Sequence, residues 1–191
     1  VEQDASQSDE TVDNDSRSSG AVVTLADHTA HVVAEAEKLA ATFKLGKTER
    51  TTLIRAARWH DAGKAHEVFQ DTMHRGLGKD APAPAELLAK TIGNNRHSRP
   101  YFRHELASAL AFLAHEDWST DNDLIAYLIA SHHGKVRMSL RALPAERAPA
   151  GDQANKRFAR GIWEGDKLPS FQLGDGEVWK GDKLLLNVME L

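Results

Sequence analysis

The chain of 191 residues contains no cysteine. That excludes disulfides, a thiolate zinc site and a cysteine nucleophile, and it suits a reducing, cytoplasmic setting. Long apolar runs are missing too. No stretch approaches the roughly 20 residues of a membrane span, and no signal-peptide pattern opens the chain, so no membrane association is expected. There is no internal repeat, and no clear strand precedes Gly134. Position 1 is Val and not Met, which is expected of an excised or processed piece. With 41% hydrophobic residues, the chain can bury one sizeable core but hardly two.

Charge is unevenly distributed. Residues 1–19 carry six acids against one base, so the net charge of −4 becomes +1 without them. Between 44 and 103, twelve Lys/Arg face six Asp/Glu. A basic excess of this kind suits a phosphate-bearing partner, although charge alone favours the plainer reading of a solvated helix face.

Residues 1–20 are Ser/Asp-rich with little to bury, and they read as a disordered acidic tail or interdomain linker. The domain then spans 21–191. Thr24-x-x-Asp27 looks like a capping box before an amphipathic helix that runs to Phe43 with His28 in its first turn. A second helix starts near Thr48 and delivers His60-Asp61 to its end, where Gly63 stops it. Residues 71–83 and 93–101 read as loops around a short helix, Pro84 to Thr91. A fourth helix, from about Tyr101 to His115, has His104 in its first turn. Thr120-x-x-Asp123 caps a fifth that ends at His132-His133-Gly134. The fold class is therefore all-α: a helical bundle with core helices over about 24–134 and a small irregular lobe over 135–191. Gly-Asp turns at 165, 175 and 181 hint at a hairpin in the lobe.

The chemistry lies at the helix ends. His28, His60-Asp61, His104 and His132-His133 are far apart in sequence, yet each falls at a helix terminus or in a first turn, where a bundle can bring them to one cleft. Imidazole and carboxylate are what a divalent transition metal takes from a protein, and an aspartate beside a histidine can bridge two ions. Any one of these histidines alone is as well explained by packing or by a helix dipole. Their joint order points to a metal-dependent phosphodiesterase. Lys64, one helical turn beyond His60, could hold a phosphate oxygen. His31, His66, His74, His97 and His115 lack such context. Trp59 and Phe69 fit packing, while Phe69-Gln70 could also line the groove.

Four segments, LADH (25–28), WHDAGKAHEVFQ (59–70), RHELAS (103–108) and ASHHGK (130–135), carry a resemblance. With them the chain resembles the HD superfamily of metal-dependent phosphohydrolases, and within it the HD nuclease domain of the CRISPR-associated helicase-nuclease of type I systems. The resemblance implies one metal site of His28, His60 and Asp61. It implies a second of His104, His132 and His133 with Asp61 bridging, and Lys64 on the substrate phosphate. It further implies one or two ions of Fe, Mn, Ni or Co, and cleavage of single-stranded DNA. The partners it implies are a helicase domain in cis or in trans and a guide-RNA surveillance complex. The family usually adds an aspartate from a late helix. Asp152, Asp166, Asp175 and Asp182 all lie in turn-like contexts and none matches it before Leu191. Two other functions compete: an HD-type nucleotide or cyclic-nucleotide phosphohydrolase, and a metal-free binding module that keeps the fold. Retention of all six matching ligands speaks against the second.

Overall fold

Thr24 opens the first helix as its spacing predicts: its Oγ1 accepts the Asp27 N–H at 3.1 Å. The computed structural model describes residues 21–78, 85–93, 96–116, 119–134, 142–174 and 177–185, and the acidic tail lies outside them. Helix α1 (Leu25–Thr42) packs on α2 (Lys47–Trp59), α2 packs on α5 (Thr120–Ser131), and α5 packs on α4 (His104–His115). The remaining helix, α3 (Glu67–Gly76), follows a single tight turn over Ala62–Ala65. In α4 every residue from His104 to Phe112 is buried. An element apolar nearly all round belongs at the centre of a bundle, and any polar group it carries there must find a partner.

Several expectations are corrected. Residues 71–76 are helical rather than loop, because Val68, Phe69 and Met73 bury one face of α3 in the core. The stretch expected to be helical before Thr91 holds instead a short strand, β2 (Leu88–Lys90), antiparallel to β1 (Val23–Thr24). The Gln70 side chain acts as a further strand edge for β2. Its Oε1 accepts the Leu88 N–H and its Nε2 donates to the Leu88 carbonyl, both at 2.9 Å. The same Nε2 donates to the Lys64 carbonyl at 2.6 Å. Gln70 and Phe69 are both buried, and the Phe69 ring lies 5.6 Å from that of His104. Helix α5 is capped one residue earlier than its Thr suggests, by the Ser119 hydroxyl.

The lobe contains two hairpins, β3–β4 (Phe158–Ala159, Ile162–Trp163) and β5–β6 (Phe171–Leu173, Glu177–Trp179). Arg160 and Gly161 turn the first with φ of 55° and 73°. A Cβ on Gly161 would lie 2.5 Å from the Phe102 Cα, so that hairpin lies directly against the approach to α4. Trp179 packs edge-on against Trp59, with ring centroids 5.4 Å apart, beneath the end of α2. Asp166, in the Gly165-Asp166 turn, takes Arg99 Nη1 at 2.6 Å and the Trp163 N–H at 2.8 Å, and faces His66 Nε2 at 3.1 Å.

Burial works against ionisation of Asp166, but the His66 imidazole, the Trp163 N–H and the Arg99 guanidinium hold its carboxyl below the usual range. A lowered folded value means stability that is present above the unfolded pKa of about 3.9 and is lost as pH falls through the folded value. Asp166→Asn is expected to lose about 2 kcal/mol at neutral pH. The gap to wild type should close below about pH 4. Melting curves of both proteins from pH 7 downward check this, and a gap that persists into acid would contradict the assignment.

Candidate metal centre

Four elements deliver the site. The first turn of α1 presents His28, the C-terminal end of α2 presents His60 and then Asp61, the start of α4 presents His104, and the end of α5 presents His132-His133. Helix α2 ends at Trp59 with His60 as its C-cap, earlier than the stop at Gly63 that the sequence suggests. Asp61 then opens the tight turn.

The geometry centres on Asp61, which is 2% exposed. Its Oδ2 faces His28 Nε2 at 2.9 Å, His60 Nε2 at 3.2 Å and Lys64 Nζ at 2.9 Å. Its Oδ1 faces His104 Nε2 at 3.2 Å and His132 Nε2 at 3.6 Å, and makes no hydrogen bond among the described residues. His133 Nε2 lies 3.0 Å from His104 Nε2. Ligand atoms of His28, His60 and Asp61 lie within 4.8 Å of one another, as do those of His104, His132 and His133. Thus one carboxylate oxygen belongs to each group of histidines.

Three observations test whether these residues fit a metal. First, His60 Nδ1 lies 2.7 Å from the Ala57 carbonyl, and His132 Nδ1 lies 2.7 Å from the Ile129 carbonyl. A carbonyl only accepts, so in each ring Nδ1 is the donor there and Nε2 is the nitrogen turned toward Asp61, the orientation that second-shell bonds give to metal-binding imidazoles. Second, burial first and the neighbouring His104 next push His132 down to about 3, although Asp61 opposes them. Its ring is therefore neutral at physiological pH, the form that ligates. Third, burial would raise the Asp61 carboxyl, but His60, Lys64, His104 and His28 hold it well below the usual range. It is an anion among imidazoles, with a buried oxygen that lacks a hydrogen bond. The residues fit.

All six ligand candidates meet, and so does Lys64. The lysine is 3% exposed, its ammonium turned onto Asp61 and 5.5 Å from the Phe69 ring centroid. None of the late aspartates among the described residues joins the six: Asp166 belongs to the Arg99 cluster. Nor is the basic excess simply presented to solvent, because Arg55 pairs with Glu116, Arg99 with Asp166 and Arg103 with Glu105. Sequence reasoning missed the buried polar residues around His104. Glu105 is 1% exposed and takes Arg103 Nε at 2.6 Å, while Arg103 Nη2 reaches the Ala130 carbonyl at 3.4 Å, tying the start of α4 to the end of α5. Burial opposes the Glu105 charge, but His104 and Arg103 hold that carboxyl below its ordinary value.

A helical domain with a buried aspartate between histidines from four elements defines an HD-type metal-dependent hydrolase. The particular family follows from comparison: a family model described as "Cas3, HD domain" matches residues 14–168, and the chain belongs to that family, the metal-dependent nucleases of CRISPR defence systems. No curated protein and no solved structure matches the chain. Among the described residues, no helix is long and apolar enough to cross a membrane.

Proposed function

We propose that this domain cleaves single-stranded DNA during CRISPR interference, with His28, His60 and Asp61 as ligands of one divalent ion and His104, His132 and His133 of a second. Asp61 is shared, and the observation that carries the reading is its two oxygens facing two separate histidine groups. When bound, ions of this class polarise a phosphodiester and make water nucleophilic at neutral pH. Everything else falls to the chain. His60 and His132 are held in the ligating tautomer by backbone carbonyls. Lys64 keeps Asp61 oriented and adds a fixed positive charge that attracts the phosphate. The ions are of the Fe, Mn, Ni or Co class, since imidazole with carboxylate suits them. A helicase domain, in cis or in trans, delivers the strand after recruitment by a guide-RNA surveillance complex in the cytoplasm.

The test is incubation of the protein with circular single-stranded DNA, with added Mn²⁺ and after metal depletion. Cutting of the circle that requires metal is the expected result. Cutting only from a free end would make the enzyme an exonuclease, and a nuclease indifferent to chelation would contradict this reading. Hydrolysis of nucleotides with no attack on DNA would favour a nucleotide phosphohydrolase.

A further inference from the structure

One histidine group comes from α1 and α2 and the other from α4 and α5, and something must fix how far apart they stand. One buried hydroxyl directly links the turn after Asp61 to the helix that carries His104. Ser108, fully buried in α4, accepts the Gly63 N–H at 2.7 Å and donates to the His104 carbonyl at 2.8 Å. Its ends reach two residues beyond Asp61 on one side and His104 itself on the other. The backbones already touch there: a Cβ built on Gly63 would lie 2.1 Å from the His104 oxygen. A single-atom bridge at a contact this close leaves little play between the turn and the helix.

We propose that Ser108 is a positioning residue for the metal centre, setting Asp61 Oδ1 against His104 Nε2 so that the carboxylate is shared between the groups. The inference rests on the proposed function and names a residue that touches neither metal nor substrate. The local chemistry makes the hydroxyl specific. A serine in a helix often bonds the carbonyl four residues back, and that bond alone would be a local matter. Here the same oxygen also satisfies an N–H from another element, and that N–H would otherwise be buried and unpaired. An alanine keeps the helix but removes the tie, and a turn without it can shift its carboxylate by tenths of an ångström. Ligand orientation of this kind is what outer-shell partners control, at about ten- to a hundredfold in metal affinity.

The experiment is calorimetric titration of the folded protein with Mn²⁺ and Ni²⁺, comparing wild type, Ser108→Ala and Thr72→Ala, with melting temperatures for each. Thr72 is the matched control: it is buried, its hydroxyl donates to the Val68 carbonyl four residues back at 2.9 Å, and it belongs to α3, outside the site. Ser108→Ala is expected to bind metal about ten- to a hundredfold more weakly at temperatures where it is fully folded. Thr72→Ala should lose comparable stability and bind as wild type does. Ser108→Thr, which keeps the hydroxyl, should recover affinity. If Ser108→Ala binds like wild type, the positioning role is overturned and the proposed function stands. If both alanine variants weaken binding equally, the effect is one of stability and the role is likewise overturned. If wild type binds neither ion, the proposed function falls and takes this inference with it.

Discussion

Asp61→Asn is expected to lower DNA cleavage by about a thousandfold or more, because under the proposed function several kcal/mol of charge stabilisation at the phosphodiester would depend on ions held by this carboxylate. The neutral amide keeps the shape but loses the anion that faces His28, His60, His104 and His132. It also strands Lys64, whose buried ammonium lies 2.9 Å from Asp61 Oδ2. Breaking a buried pair from one side costs about 3–5 kcal/mol, so the single variant should melt well below wild type. Activity must therefore be compared where circular dichroism shows both folded. The double variant Asp61→Asn with Lys64→Met separates the effects: it should recover much of the melting temperature and none of the cutting. Cleavage by Asp61→Asn within tenfold of wild type would contradict the shared-ligand assignment.

Gly63→Ala should rank with the most destructive single methyls among the described residues. The added carbon would fall 2.1 Å from the His104 oxygen, 2.7 Å from the Ala107 Cβ and 2.7 Å from the Ser108 nitrogen. These atoms belong to the most buried stretch of the central helix, so they cannot yield as a flexible side chain would. A loss of about 4 kcal/mol is expected, at the extreme of single substitutions. Any folded protein that remains should bind metal poorly, since the turn that holds Asp61 must back away from His104. Melting temperature and metal titration together check this. A variant that melts within a few degrees of wild type and binds metal normally would show that the close approach is not needed.

Much of this was readable from the chain. The six ligand candidates stood out because each lies at a helix end, and helix ends can be located from caps and from apolar spacing: Thr24 before His28, and the run from Leu124 to Ile129 before His132. Four of the five helices among the described residues follow from the same local signals, while α3 reads as loop from residue 71 and a helix is expected where β2 forms. What local signals cannot carry is partnership across the chain. Residues 88–90 form a strand because Val23 and Gln70 meet them from elsewhere, and nothing within those three residues announces it. Glu105 and Ser108 stand in the RHELAS segment, but that the guanidinium of Arg103 and the turn at Gly63 are their partners is visible only in the fold. Lys64 reads in the sequence as a cation that could hold a phosphate oxygen. Its ammonium is turned inward because Asp61, one helical turn back, is buried and needs a counter-charge.

The central claim is that six residues form one metal centre joined through Asp61. The most direct measurement is the metal content of wild type and Asp61→Asn after loading with Mn²⁺ and removal of loosely held ions, read by elemental analysis. The account predicts two ions per chain in wild type and none retained by the variant. Equal metal content in the two proteins, or a wild type that retains no metal, would contradict it.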